Sequence, residues 1–352
     1  GRLPGTNQKQ KTHPNPRSRF RPAQGRLLHR CLSPVTLNPL TLNASPKSME
    51  ESSSFFEDIS DDHTSGYVAI VGKPNVGKST LMNALLGEKL SIVTKKPQTT
   101  RHRVLGIHSG PEHQAIFLDT PGIIEPRYAL HETMMGQVQG AIRDADLLLF
   151  LHEATQDEPD TQSLKKIGDT PAFLVLTKMD LIPKEETLPL VESYEDRRAF
   201  DEVVPTSAKE GFNLQTLLHL VLDTLPEGPP FYPKDRISEH PERFFVAEMI
   251  REKVYKHYHQ EIPYSVQVNV VAYEERPEGT KDYIDAEIVV MEESHKGILI
   301  GEGGKALKKV GTTAREDIEA FVQSPVYLNL HVKVQENWRD RKTVLRSYGY
   351  RA

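Results

Sequence analysis

Residues 72–80 read Gly72-Lys73-Pro74-Asn75-Val76-Gly77-Lys78-Ser79-Thr80 and lie between a strand-like run and a helix-like run. The spacing G-x-x-x-x-G-K-[ST] is that of a loop built to cradle phosphate. Gly72 and Gly77 let successive N–H groups turn inward around phosphate oxygens. Lys78 brings a positive charge to the terminal phosphates, and Ser79 offers a hydroxyl to Mg²⁺. Three further strings follow, each just after an apolar run. In Asp119-Thr120-Pro121-Gly122, the carboxylate can hold Mg²⁺ through water and the Gly122 N–H can bond a γ-phosphate oxygen. In Thr177-Lys178-Met179-Asp180, the carboxylate can accept two hydrogen bonds from guanine N1–H and the 2-amino group. Adenine has no such pair of donors, so ATP would leave a buried Asp180 unpaired at high cost. Lys178 can lay its aliphatic stem over the base, and Ser207-Ala208-Lys209 puts a backbone N–H where guanine O6 would lie. Between the first two strings, Lys95-Lys96-Pro97-Gln98-Thr99-Thr100-Arg101 holds a threonine that can complete Mg²⁺ coordination; Thr100 is preferred, with Thr99 as the alternative.

The elements that must position these residues can be read from hydrophobic spacing. Strand-like runs cover 67–71, 115–118, 147–151, 172–176 and 202–204, several of them continuously apolar. That pattern suits parallel strands covered on both faces. Helical runs lie between them. One starts near Lys78 and ends at Gly87; another spans 213–225, with Leu214, Leu217, Leu218, Val221 and Leu225 at helical spacing. A doubly wound α/β sheet with its ligand at the strand C-termini is predicted. The stretch from Pro226 to Pro233 reads as a stiff connector.

Residues 240–352 form a second unit of order α-β-β-α-α-β. Its helix covers 241–259, its alternating strands 264–273 and 282–291, its helix pair the turn at Gly301–Gly304, and its last strand Val326–Val334. The turn Gly301-Glu302-Gly303-Gly304 is a G-x-x-G between two helices, the clamp of a KH module, where bare backbone lets single-stranded RNA phosphates come close. The strand order makes it the second KH type. Lys305, Lys308, Lys309 and Arg315 add positive charge on the helix that follows. Glu302 sits inside the clamp, where a carboxylate beside a phosphate weakens binding. The chain then divides into a leader and linker at 1–62, a nucleotide-binding domain at 63–228, a linker at 229–240 and a KH domain at 241–352.

A chain of 352 residues has room for two domains with separate cores. The net charge of −5 argues against a broadly basic protein, so nucleic-acid contact must come from a local patch. Cys31 is the only cysteine, which excludes an intramolecular disulfide and a multi-cysteine metal site. No apolar stretch has the length needed to span a bilayer. Residues 1 to about 50 are Arg-rich, Ser-containing and acid-poor, the composition of an organelle transit peptide; the alternative is a disordered basic tail.

Four nucleotide strings in this order resemble the translation-factor-related class of GTPases. With the Gln98-Thr99-Thr100-Arg101-His102-Arg103 string, the connector, the KH pattern, 238–245, 314–318 and 334–340, the chain from about Gly66 onward resembles the Era family. The resemblance implies a doubly wound P-loop GTPase domain followed by an α+β type II KH domain. It implies GTP/GDP and Mg²⁺ as ligands. It also implies binding to the 3′ end of small-subunit ribosomal RNA, a role in assembling that subunit, and peripheral membrane association as in bacterial members. A monomer in the chloroplast stroma is expected, with the mitochondrial matrix as the alternative. Many small GTPases carry a water-orienting glutamine directly after Asp-x-x-Gly. Ile123 stands there in this chain, and GTPases with an apolar residue there and an asparagine like Asn75 suggest that K⁺ assists the phosphates. Lys78, Thr100, Gly122 and Asn75 are then the catalytic set. Thr177 stands where asparagine is usual and would tie the base loop to the phosphate loop less well. A P-loop kinase, or an RNA-binding factor that hydrolyses GTP negligibly, are the competing readings.

Overall fold

Buried apolar runs pair into two sheets. The computed structural model describes Gly1 and residues 62–156, 170–195, 200–277 and 279–351. The leader, Cys31 and most of the acidic linker lie outside the described residues. In the first sheet, β1 (Thr64–Gly72) lies between β3 (His113–Asp119) and β4 (Leu147–Glu153), followed by β5 (Ala172–Thr177) and β6 (Glu202–Pro205). All these neighbours are parallel. Val68, Ala69 and Ile70 of β1 have no exposed surface, as a central strand covered on both faces requires. Covering helices are α1 (Lys78–Leu86), α2 (Ala129–Asp144), α3 (Lys184–Glu195) and α4 (Leu214–Thr224).

One strand escapes the sequence pattern. β2 (Val104–Ser109) runs antiparallel to β3 at the sheet edge. Its run Val-Leu-Gly-Ile-His-Ser is broken by Gly106, where a Cβ would come 2.4 Å from Leu86 Cδ1. The strand is held by its partner and by this close packing, more than by its own propensity.

The proline-rich stretch after α4 is pinned to the first sheet and does not hang free. Ser65 N donates to Pro226 O at 3.0 Å, and Ile107 N donates to Ile237 O at 2.9 Å. Gln114, fully buried in β3, accepts from the N–H groups of Phe231 and Tyr232 at 2.7 and 2.9 Å and donates to Tyr232 O at 2.8 Å.

Beyond it, the second sheet has the order β7 (Gln267–Glu274), β8 (Asp282–Val290), β9 (Val326–Val334), with β7–β8 antiparallel and β8–β9 parallel. Helix α5 (Glu242–His257) precedes it, and α7 (Glu293–Ile300) and α8 (Lys305–Val322) lie between β8 and β9. The predicted strand at 264 starts later, because Ile262–Ser265 forms a short helix, α6. Pro263 sits in its first turn, where proline's missing N–H costs nothing, and its N-terminal residues are buried. A last helix, α9 (Lys342–Ser347), follows β9 and Trp338, which has no exposed surface.

The described residues from Asp62 onward belong to one compact unit. One connected set of buried apolar side chains runs from Val68 and Leu149 to Val246, Ile288 and Ile318. Among the described residues, no helix is long and apolar enough to cross a membrane.

Gln114→Ala would strand two N–H groups and one carbonyl of the pinned connector. Unfolding in urea should show a loss of about 2–3 kcal/mol; a loss below about 0.5 kcal/mol would mean that the connector is not held by this amide.

Candidate functional site

The C-terminal ends of β1, β3, β5 and β6 bring the four strings together at one edge of the sheet. The phosphate loop leaves β1 at Gly72 and enters α1 at Lys78, with Asn75 held at φ 62°, a left-handed state that asparagine tolerates. Pro74, Asn75, Gly77, Lys78, Ser79, Thr80, Gln98, Thr99, Thr100 and Gly122 line one pocket, whereas Val76 is buried in the core. Gly122 lies so close to Pro74 that a Cβ would come 2.8 Å from its ring and main chain. Only glycine lets this backbone approach the phosphate loop. Pro121 is buried beside it. Thr120 turns the other way, its hydroxyl donating to Ile70 O at 2.7 Å, so its side chain serves the sheet.

Three oxygens converge beside Lys78. Ser79 Oγ donates to Asp119 Oδ2 at 2.6 Å and lies 2.9 Å from Thr100 Oγ1. This geometry separates the two threonine candidates. Thr99 is buried, and its hydroxyl is engaged with Lys96 O and Thr94 Oγ1, each at 2.7 Å. Asp119 is fully buried, and its Oδ1 has no hydrogen-bond partner. An all-oxygen donor set with an orphaned carboxylate oxygen fits Mg²⁺, a hard cation that keeps part of its water shell.

The charges in the site are held away from their ordinary values. Burial pulls Lys78 down to about 8, against the opposing pull of Asp119, while its Nζ donates to Gly72 O at 3.1 Å and Lys73 O at 2.9 Å. Burial also pushes Asp119 up, offset in part by the Ser79 hydrogen bond and by Lys78. For each group burial outweighs the attraction of the other. An anion at Lys78 and a cation at Asp119 would each favour the charged form against that burial.

The base-side strings meet as well. Asp180 Oδ1 accepts from Ser207 Oγ at 2.7 Å, and Met179 N donates to Thr206 O at 3.1 Å. Ser207 N donates to Phe212 O, which leaves the Ala208 and Lys209 N–H groups for a base oxygen. Lys209 is exposed, with Nζ 2.8 Å from Glu210 and 3.8 Å from Asp180. Lys178 sits at φ 60°, and its Nζ is 2.7 Å from Glu153 Oε2. Glu153, at the end of β4, is a partner of Lys178 that sequence reasoning missed. Thr177 makes the link with its one hydroxyl. Its hydroxyl donates to Val76 O at 2.7 Å, with His152 O at 3.2 Å, so threonine itself ties the base loop to the phosphate loop.

The clamp of the second sheet lies between α7 and α8. Gly301, Gly303 and Gly304 have φ of 69°, 58° and 77°. A Cβ on Gly301 would come 2.6 Å from Ala306 Cβ. Glu302 and Lys305 are exposed. A groove beside the clamp is lined by Gly304, Leu307, Lys308, Thr312, Arg315 and Leu330, among others. Lys309, expected with them, is not in that lining; it stands near His257. One residue of helix rotates a side chain by about 100°, which a charge count along the sequence does not register.

The loop that carries Thr100 is bonded to the second half of the chain. Arg251 of α5 donates to Thr99 O at 2.6 Å, and Tyr255 Oη donates to Gln98 O at 3.1 Å. Arg101 is fully buried and donates to Val266 O, Pro263 O, Tyr264 O and Tyr255 Oη at 2.6 to 3.1 Å. Arg251 and Tyr255 were not singled out from the sequence, because nothing local marks a residue that acts on a loop 150 positions away.

Comparison with known proteins agrees with this geometry. A family model described as "50S ribosome-binding GTPase" matches residues 67–178, and a KH domain model matches residues 261–339. The maize protein "GTPase ERA1, chloroplastic" is 50% identical over 296 residues, covering 82% of this chain and 71% of that one. "GTPase Era" of Heliobacterium modesticaldum is 46% identical over 291 residues, covering 81% and 97%. A crystal structure of Era with MgGDPNP and nucleotides 1506–1542 of 16S ribosomal RNA superposes with a TM-score of 0.78 at 40% identity, covering 82% of this chain and all of that one.

Thr177→Val keeps the shape and removes the tie to Val76 O. Stability should fall by about 1–2 kcal/mol, and nucleotide affinity with it. Unchanged urea midpoints and unchanged GDP affinity would show that the tie contributes nothing.

Proposed function

The chain belongs to the Era family of GTPases, and from that premise we propose a GTP-driven switch that binds the 3′ end of small-subunit ribosomal RNA and assists assembly of that subunit in the chloroplast stroma. It is a hydrolase that converts GTP to GDP and phosphate. The observation that carries the switch reading is the loop at 94–101. It supplies Thr100 to the Ser79–Asp119 pair and is bonded on either side of Thr100 to α5 and α6. The domains follow as a GTPase domain at 63–228, a pinned linker at 229–240 and a KH domain at 241–352.

In this reading Ser79, Thr100 and, through water, Asp119 hold Mg²⁺, which when bound neutralises charge building up on the β- and γ-phosphates. Lys78 meets the terminal phosphates, and an anion there favours its charged form against the burial that pulls it down. Gly122 brings its N–H to the γ-phosphate because no Cβ keeps it from Pro74. Asp180, oriented by Ser207, reads guanine; Lys178, steadied by Glu153, lies over the base. Discrimination against adenine comes from leaving the Asp180 carboxylate without its two donors. The relatives named chloroplastic support the location, and the Era complex supports the RNA. The clamp glycines and Lys308, Thr312 and Arg315 in the adjoining groove are the residues for RNA phosphates and bases.

Ile123 faces the core cluster of the first sheet, so it has no part in handling water. Asn75 Nδ2 donates to Lys95 O at 3.1 Å, which turns its Oδ1 free for a cation. GTP turnover should be several-fold faster in K⁺ than in Na⁺, and Asn75→Ala should erase the difference. Equal rates in the two salts sink the K⁺ assignment.

An RNA of the 3′-terminal small-subunit sequence should bind more tightly with a GTP analogue than with GDP. Loss of the preference would remove the switch reading. Glu302 is exposed at the clamp. Glu302→Lys should tighten the RNA roughly three- to tenfold at moderate salt and steepen the salt dependence. An unchanged affinity would place Glu302 away from the strand.

A further inference from the structure

We propose that Gln98 orients the attacking water in GTP hydrolysis, the task that Ile123 cannot perform. The inference rests on the GTPase reading of this site.

The polar side chains lining the pocket beside Gly122 are few, and nearly all are committed. Ser79 and Thr100 belong to the Mg²⁺ set with Asp119. Lys78 belongs to the phosphates. The hydroxyls of Thr94 and Thr99 bond each other and Lys96 O. Asn75 is anchored to Lys95 on the phosphate loop. Gln98 remains. It lies in the same lining as Thr100 and Gly122, the residues that the GTPase reading sets beside the γ-phosphate, and it also lines the neighbouring cavity with Tyr128 and His131. Its carboxamide offers an acceptor for a water proton and a donor for a phosphate oxygen on adjacent atoms, as the job requires.

Gln98 is also held. Its φ of 59° is a left-handed state that strains a non-glycine residue, and such states persist only when the surroundings enforce them. The Tyr255 hydroxyl, which accepts from Arg101, donates to Gln98 O at 3.1 Å. At the other end of the side chain, His131 Nε2 donates to Gln98 Oε1 at 3.1 Å. His131 is buried on α2, its ring lies against Tyr128 with centroids 3.7 Å apart, and its Nδ1 has no partner. Burial and the nearby arginines hold the ring neutral, and in the Nε2–H tautomer Nε2 is the donor to Gln98 Oε1. One lone pair of Oε1 stays available, and the amide nitrogen donates to no protein group among the described residues.

In the step, the water oxygen bonds to the γ-phosphorus while the bond from that phosphorus to the bridging oxygen breaks. The electron pair stays on the GDP oxygen, and both water protons leave with the released phosphate as dihydrogen phosphate. Gln98 takes no proton; it accepts from the water through Oε1 and donates to a γ-phosphate oxygen through Nε2. His131 acts through Gln98 and is a positioning residue.

The test is single-turnover GTP hydrolysis by the full chain in Mg²⁺ and K⁺, with the affinity for a non-hydrolysable GTP analogue measured alongside. Gln98→Ala should slow hydrolysis at least tenfold with analogue affinity within threefold of wild type. Gln98→Glu, which keeps the size and removes the donor, should be as slow. His131→Ala should lose part of the rate, and His131→Gln, which keeps a donor, should recover some of it. Hydrolysis by Gln98→Ala within twofold of wild type overturns the assignment. So does a fall in analogue affinity that matches the fall in rate, which would mark Gln98 as a prop for the loop. Wild type no faster than Lys78→Ala would overturn the GTPase reading together with this one.

Discussion

Two helices end against the loop that carries Thr100, and each end leaves carbonyl oxygens that no helical N–H can reach. The loop supplies the missing donors as cations. Lys96 Nζ bonds the carbonyls of Tyr255 and Tyr258 at the end of α5. Arg101 bonds those of Pro263, Tyr264 and Val266 at α6. A cation at a helix C-terminus also answers the partial negative charge there. Arg101 has no carboxylate partner among its bonds; its guanidinium is satisfied by carbonyls and the Tyr255 hydroxyl, with the Trp338 ring 5.8 Å away. Its burial is tolerable only while every donor is paired. Arg251, close to it, is neutralised by Glu248, which its charge holds below the usual carboxylate range despite burial. The position of Thr100 therefore depends on groups that belong to the second sheet.

The nucleotide side of that loop is an unfinished electrostatic balance. Lys78 is drawn down and Asp119 pushed up, both first by burial. Neither shift favours a permanent salt bridge between them. A polyanion at Lys78 together with a divalent cation at Asp119 would oppose both shifts at once. The Ser79 hydroxyl on Asp119, with the Thr100 hydroxyl next to it, adds oxygen ligands without adding charge. Thr177 shows the same economy. Where an amide would span two loops, a single hydroxyl reaches Val76 O because β5 ends close enough to the phosphate loop.

Much of this was legible in the sequence. The continuously apolar strands and the four strings at their ends follow from local pattern, since each string needs only its own backbone geometry and the strand before it. Thr100 could be preferred over Thr99 but not separated from it. Their difference lies in Arg251 and Lys96, which turn Thr99 inward. β2 was missed because its stability comes from the β3 edge and from Leu86 packed on Gly106. The stretch at 264 was misread because Pro263 and the burial of Ile262 turn an alternating run into a helical turn. The connector after Pro226 was read as stiff, as its prolines require, but its docking depends on Gln114, a polar residue inside a strand whose partners are more than a hundred positions away.

The spacing of the loop's contacts constrains how the two halves can act on each other. Gln98, Thr99 and Arg101 are each bonded to α5 or α6, and Thr100 between them faces Ser79. A residue with both neighbours clamped has little backbone freedom of its own. It leaves the metal set by moving with its clamps or by breaking them. Breaking them strands a buried guanidinium or several carbonyls, at about 3–5 kcal/mol for a buried charge that loses its partners. Moving with them transmits displacement directly, since α5 and the loop travel together. A shift of about 1 Å is enough to spoil a reacting geometry. Communication between nucleotide site and KH sheet then needs no chain of intermediates across the core. The loop is part of the nucleotide site and is bonded directly to α5 and α6, so whatever displaces α5 pulls on the residues beside Thr100.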